Sequence, residues 1–136
     1  MQFRVPRHDL VFDVPEEWWK ATTSSTGISM GSHYRAAGDS IVVPIQDVEP
    51  PLRDGGKIWF RNRDSVVQIL DGMRSGEELP PIQVWSREKT NSSRYIVRDG
   101  LHRFYLSIAV GFTAIPVIID DFDLNEFFVN EAKGLQ

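Results

Sequence analysis

The sequence contains no cysteine, which excludes disulfides, thiolate metal sites and cysteine nucleophiles. Histidine is also scarce. The three histidines are His8, His33 and His102, and their wide separation does not match the spacing of a zinc site. We therefore predict no metal site built from protein side chains alone.

Long apolar runs are missing as well. A run such as residues 115–119 is far shorter than the roughly 20 residues that a helix needs to cross a bilayer. The charged start "MQFRVPRHDL" lacks the apolar core of a signal peptide. We expect a protein that has no membrane partner and works in the cytoplasm.

Basic residues are not in excess. The chain has 15 Lys and Arg against 19 Asp and Glu, a formal net charge of -4 at pH 7. Because nucleic-acid backbones are bound by clustered Lys and Arg, this balance does not favour nucleic acid as a partner. A chain of 136 residues with 41% hydrophobic content fits one globular domain.

Residues 1–40 show two local patterns. The stretch "VPEEWWKA" has proline ahead of two glutamates, which predicts a short helix. The stretch "TTSSTGISMGSHYRAAGDS" is rich in Ser, Thr and Gly and predicts a long loop. We interpret residues 1–40 as an N-terminal extension that carries this loop.

Residues 41–120 are more regular and form the predicted core. "IVVPIQDV" predicts a strand, "IQVW" and "RYIV" predict a hairpin, and "IPVII" predicts a last strand. "NRDSVVQILDGMRSGEELPP" predicts a helix that ends at Gly76, with three candidate caps, Asn62, Asp64 and Ser65. A second, apolar helix of about ten residues precedes the last strand. The pattern indicates an α+β fold with a small mixed sheet and packed helices.

Residues 121–136 are acidic but carry an apolar set. We predict that this segment forms a closing helix that packs on the core through Phe122, Leu124, Phe127, Phe128 and Val129.

The most informative stretch is "RDGLHR", residues 98–103, between a strand and a helix. The unpaired N–H groups of a helix start favour anions. Gly100 lets a ligand approach the backbone, and His102 and Arg103 lie in the first turn, within reach of a phosphate. We predict an anion site here.

Asp99 opposes that prediction. A carboxylate about 4 Å from a phosphate costs on the order of 4 kcal/mol at an effective dielectric near 20, whereas a helix start contributes only about 0.3–1 kcal/mol. Arg98, Arg103 or a bridging Mg²⁺ must then compensate. In the alternative, Asp99 caps the helix and the turn is structural.

The order of elements around "YIVRDGLHR" resembles the domain shared by ParB N-terminal regions and sulfiredoxins. The resemblance covers about residues 41–120, and "DGLHR" is similar to the DGxHR signature of several branches. It implies a ParB/sulfiredoxin-like fold whose helix start binds nucleotide phosphates. Carried over to this chain, the implied ligands are Gly100, Leu101, His102 and Arg103, with Arg98 beside them. By similarity to the free-serine kinase branch, Asp99 lies in the phosphotransfer site.

Two departures from the family limit the inference. Leu101 stands where sulfiredoxins have their catalytic cysteine, so reduction of a sulfinic acid is not expected. ParB proteins continue into a helix-turn-helix region that reads DNA, whereas this chain continues for only sixteen residues after residue 120. Sequence-specific DNA partition is therefore not expected.

Arg61 and Arg63 precede the capped helix. Related domains often have a basic segment at this place, so these two arginines are candidates for the opposite wall of the anion site. The alternative is an ordinary solvated helix start.

Three functions follow from these observations. The first is a nucleotide-dependent enzyme that uses ATP or another nucleotide with Mg²⁺ for phosphotransfer or hydrolysis, with Asp99 and His102 as catalytic candidates. Its partner is a nucleotide or a phosphorylated small molecule. The second is a non-catalytic module that binds nucleic acid or a protein. A nuclease is the third, but the sequence shows no paired-carboxylate cluster to support it.

Overall fold

The computed structural model describes residues 1–22, 31–52, 58, 60, 62–86 and 94–120. In chain order, the strands are β1 (Gln2–Arg4), β2 (Val11–Asp13), β3 (Ile41–Pro44), β4 (Val48–Glu49), β5 (Ile82–Ser86), β6 (Tyr95–Asp99) and β7 (Ala114–Asp120). The α-helices are α1 (Glu16–Lys20), α2 (Arg63–Ser75) and α3 (Leu101–Val110), and residues Ile45–Asp47 form one 3-10 turn.

The main sheet has five strands in the order β3-β7-β5-β6-β4. β7 is antiparallel to β3 and parallel to β5, β5 and β6 form an antiparallel pair, and β4 adds in parallel to β6. Both kinds of pairing occur, so the predicted α+β class with a small mixed sheet is confirmed. The predicted hairpin corresponds to β5 and β6.

Helix ends follow the side chains that the sequence indicates. Of the three candidate caps for α2, Asn62 is the one used: its Oδ1 accepts the Ser65 N–H at 2.8 Å. Gly76 ends α2 and Gly111 ends α3, both in the left-handed region that glycine enters without strain. The predicted short helix near the N-terminus is α1.

One hydrophobic cluster joins the helices and the sheet. In β5 the buried residues alternate, Ile82 and Val84, as expected when one face of a strand packs inward. In β7 three consecutive residues, Ile115, Pro116 and Val117, are buried. The helices contribute fully buried Val66, Leu70, Phe104 and Leu106.

The first forty residues also supply core side chains. Val5, Phe12, Val14 and Tyr34 are each at most 3% exposed and belong to the same cluster. β1 and β2 form a separate two-stranded sheet that brings Phe12 within 5.0 Å of the Tyr105 ring, between centroids. The division of the chain into residues 1–40, 41–120 and 121–136 stays a prediction.

Two predicted features fall beyond these ranges. The middle of the Ser/Thr/Gly-rich loop, residues 23–30, and the acidic segment at residues 121–136 lie outside the described residues. Within the described ranges, no helix is long and apolar enough to cross a bilayer.

Candidate anion-binding site

The starts of α2 and α3 border one open cleft of about 660 Å³. Its polar lining residues come from both helix starts and from the end of β6, and are Asn62, Ser65, Arg98, Asp99, His102 and Arg103. Its apolar lining residues are Pro51, Leu52, Ile69, Val97 and Leu101. The cleft thus gathers all six residues of the predicted turn at 98–103, since Gly100 lines it as well.

The α3 start carries no side-chain cap from the described part of the chain. Gly100 occupies the N-cap position with φ 122° and ψ 32°, and its carbonyl accepts the Phe104 N–H at 2.9 Å. The alternative in which Asp99 caps the helix is therefore wrong, because Asp99 is the last residue of β6 and lies one position too early. The backbone N–H groups in the first turn of α3 therefore receive no hydrogen bond from the Asp99 carboxylate.

Gly100 is required here for two physical reasons. Its φ of 122° is one that L side chains rarely adopt. A Cβ at this position would also lie 3.1 Å from Cγ1 of Ile82 and 3.4 Å from Nη2 of Arg103. The turn is therefore tightly packed on its sheet side.

Asp99 faces the cleft as an exposed carboxylate. Its side chain is 70% exposed, and Oδ2 lies 3.5 Å from Nη2 of Arg103. Because the carboxylate of this pair is well solvated, water screens its attraction to Arg103, and the pair contributes little to stability. Among the described lining residues Asp99 is the only carboxylate, and no described group of three or more His, Asp or Glu is placed to hold a metal ion.

Arg103 is held mainly by backbone oxygens. Nη1 donates to the carbonyls of Pro80 at 2.7 Å and Pro81 at 2.8 Å, and the side chain is 14% exposed. One edge of the guanidinium therefore supports the chain ahead of β5, and Nη2 reaches toward Asp99 in the cleft. Its predicted role as a phosphate ligand stays a prediction.

His102 and Arg98 border the cleft differently. The His102 ring is half-buried and lies 5.3 Å from the Phe60 ring, between centroids, at an interplanar angle of 35°. The exposed Arg98 donates from Nη1 to Oε1 of Gln83 at 2.9 Å and pairs with Asp120 at 3.2 Å. Arg98 therefore tethers β6 to β5 and β7 while its side chain borders the site.

On the α2 side the sequence predictions are only partly located. Arg63 is exposed, pairs with Asp64 at 3.2 Å and is not a lining residue, although its neighbour Asn62 is. Arg61 lies outside the described residues. Of the two arginines predicted for the opposite wall of the site, only Arg63 is described, and it does not line the cleft.

Two buried tyrosines hold main-chain carbonyls near the site. The Tyr34 hydroxyl donates to the Pro80 carbonyl at 2.7 Å, and the Tyr105 hydroxyl donates to the Pro51 carbonyl at 2.6 Å. Burial raises the pKa of Tyr34 well above its ordinary value, an effect that the nearby Arg103 charge and hydrogen bond only partly oppose. Burial also raises the pKa of Tyr105.

Sequence reasoning missed Tyr34 and Phe60 as neighbours of the site. Tyr34 is a single aromatic residue in a polar, glycine-rich stretch, which is an unusual place for one and was a usable indication. Nothing in the local sequence connects Phe60 to His102, since more than forty residues separate them.

Similarity of this chain to known proteins is found in the structure. Neither a family model nor a curated protein matches the chain. The structure is similar to that of the C-terminally truncated chromosome-partitioning protein ParB from Caulobacter crescentus complexed with CTP-gamma-S. The TM-score is 0.47 and the identity 22%, over 63% of this chain and 46% of that one, so this chain spans less than half of the ParB structure.

The structure is also similar to sulfiredoxin from Arabidopsis thaliana. The TM-score is 0.46 and the identity 18%, over 66% of this chain and 93% of that one. These likenesses concern the fold; membership of a DGxHR branch stays a prediction.

Proposed function

We propose that the cleft binds the phosphates of a nucleotide at the start of α3, together with Mg²⁺. The observation that supports this best is the convergence of two helix starts on one cleft, of which the α3 start has no capping side chain among the described residues. Each start carries the equivalent of about half a positive charge. Arg98 and Arg103 lie beside it, and each is paired with a carboxylate, Asp120 and Asp99 respectively.

Asp99 gives this proposal its dependence on a metal. With 70% of its side chain exposed on the cleft, it would repel a bare phosphate. Mg²⁺ is commonly held by one or two carboxylates together with phosphate oxygens and water, rather than by a complete cage of protein ligands. A single carboxylate beside a phosphate site fits that pattern.

The cleft also has room and apolar surface for the rest of a nucleotide. About 660 Å³ lies within the usual range for small-molecule pockets. Pro51, Leu52 and Ile69 also line the cleft and offer apolar contact to a base or sugar.

The same proposal includes a reaction, ATP-dependent phosphotransfer or hydrolysis. In hydrolysis a water oxygen would bond to the γ-phosphorus as the bond to the ADP oxygen breaks, and a nearby base would accept the water proton. Asp99 and His102 are the candidates for that base, because both border the cleft at the α3 start.

Calorimetric titration tests the binding step. ATP, ADP, CTP and GTP are titrated with and without Mg²⁺ into wild type, Asp99→Asn and Asp64→Asn; CTP is included because the similar ParB structure holds a CTP analogue. Asp64 is the matched control, since it is an exposed carboxylate in the first turn of α2 that does not line the cleft.

We expect Mg²⁺-dependent binding in wild type and Asp64→Asn. Asp99→Asn should lose the Mg²⁺ effect and bind the metal-free nucleotide more tightly, by about tenfold for each 1.4 kcal/mol of repulsion removed. Absence of binding by all four nucleotides would contradict the proposal and favour the non-catalytic module that binds nucleic acid or protein. Equal behaviour of the two variants would remove Asp99 from the site.

A further inference from the structure

Tyr34 is 1% exposed and is not one of the residues that line the cleft. Its hydroxyl and Nη1 of Arg103 both donate to the Pro80 carbonyl, each at 2.7 Å. One backbone oxygen therefore joins a residue of the first forty to the arginine of the α3 start.

The backbone on both sides of Tyr34 is fixed against the same segment. Leu79 donates its N–H to the Arg35 carbonyl at 2.9 Å, and Ala37 donates to the Leu79 carbonyl at 2.9 Å. Ala36 and Leu79 form a parallel bridge. These bonds do not involve the tyrosine hydroxyl, so replacing that hydroxyl leaves the ring and its loop in place.

The two donors on Pro80 restrict what Arg103 can do. A carbonyl oxygen has two lone pairs, and here each one has a donor of its own. The Pro80 carbonyl, which also accepts the Tyr34 hydroxyl, fixes the position of Nη1. Nη2 then remains on the Asp99 side of the guanidinium.

We propose that Tyr34 is a positioning residue that acts through Pro80 to hold the Arg103 guanidinium in its anion-binding orientation. This inference rests on the proposed function of the cleft. Its physical basis is preorganisation: a charged group that is already held in place loses little freedom when the ligand arrives, so affinity is higher. Through Tyr34, the first forty residues take part in the site without touching the ligand.

The test compares Tyr34→Phe with Tyr105→Phe. Both variants remove one hydroxyl from a buried tyrosine that donates to a proline carbonyl, but only Tyr34 shares its carbonyl with Arg103. The first readout is the side-chain ¹⁵N NMR signal of Arg103, which reports rotation of the guanidinium and needs no ligand. The second is the affinity for Mg²⁺-CTP and Mg²⁺-ATP by calorimetry.

We expect Tyr34→Phe to broaden or shift the Arg103 signal and to weaken nucleotide binding about threefold to tenfold, the equivalent of one hydrogen bond. Tyr105→Phe should leave the Arg103 signal unchanged. In an Arg103→Lys background, Tyr34→Phe should change affinity less than about twofold, because the group that it positions is gone.

The outcomes separate this inference from the proposed function. An unchanged Arg103 signal in Tyr34→Phe overturns the inference, as does an equal loss of affinity with and without Arg103. If wild type binds neither nucleotide, the proposed function fails, and a changed Arg103 signal still supports Tyr34 as the residue that positions the guanidinium.

Discussion

The two helix starts at the cleft differ in how their unpaired backbone N–H groups are satisfied. At the start of α2, Asn62 supplies an oxygen that accepts the Ser65 N–H, so a side chain satisfies the helix. At the start of α3, Gly100 has no side chain that could accept an N–H. With its φ of 122°, the turn packs closely against Ile82. The first arrangement stabilises the helix by itself, whereas the second leaves room for an incoming anion.

This difference indicates a division of labour between the two sides. A cap such as Asn62 typically contributes about 1 kcal/mol to stability. A helix start without a cap lacks that contribution. The backbone conformation at Gly100 also favours glycine over every other residue type at this position. We infer that the Asn62 cap serves mainly the fold and that the uncapped start of α3 serves mainly the ligand.

The largest expected effect concerns Tyr34 and Tyr105, whose buried hydroxyls each donate to a proline carbonyl. Burial raises the pKa of Tyr34 and of Tyr105 in the folded protein. The unfolded chain ionises both near pH 10. Their contribution to stability is therefore complete below pH 10 and is lost as the pH rises above it, by about 1.4 kcal/mol per pH unit for each tyrosine.

Urea denaturation between pH 9 and pH 12, with Tyr34→Phe and Tyr105→Phe beside wild type, measures that loss. Each variant should reduce the slope by about half, since one of two titrating groups is gone. A slope equal to wild type in both variants would mean that other groups cause the alkaline loss.

The next effect separates backbone strain from close packing at the α3 start. Gly100→Ala should lower the free energy of unfolding by about 2–3 kcal/mol, from the disfavoured φ and from the contact with Ile82. Gly111→Ala is the matched control, because its φ is 104° but nothing lies within 4 Å of the added Cβ. It should cost about 1–2 kcal/mol. Denaturant titration gives both values, and equal losses would show that the Ile82 contact relaxes freely.

The smallest effect tests the α2 side. Asn62→Ala should lower the free energy of unfolding by about 1 kcal/mol through loss of the cap, and Asn62→Asp should restore most of it. Nucleotide affinity should change less than about twofold in both, since the cap serves the helix. A large loss of affinity in Asn62→Ala would break the comparison, because it would show that the α2 cap contributes to ligand binding as well.

The elements around the site follow from local sequence. The α2 helix begins at an asparagine cap and ends at Gly76, and the α3 turn combines glycine with His102 and Arg103, as their residue types indicate. Short-range rules predict such features because each cap or turn is satisfied within a few residues of chain.

The roles of the charged side chains did not follow in the same way. The sequence allows Asp99 to be either a cap or a cleft carboxylate, and only the observed strand end at Asp99 excludes the cap. Arg103 was predicted as a phosphate ligand, yet one of its nitrogens is taken by the carbonyls of Pro80 and Pro81, which lie more than twenty residues earlier in the chain. A side chain as long as arginine has several partners within reach once the chain is folded.

The sequence by itself determined the three helices, the hairpin of β5 and β6, the last strand, the α+β class and the glycine turn, because propensity, capping and apolar periodicity act over a few residues. It did not indicate β1 and β2, and it read β3 and β4 as one strand, whereas a 3-10 turn separates them. Only the tertiary structure decided that the starts of α2 and α3 meet at one cleft, that Asp99 faces it, and that Tyr34 shares a carbonyl with Arg103. Those contacts depend on how distant segments pack, since the free energy that selects them comes from burying one common core.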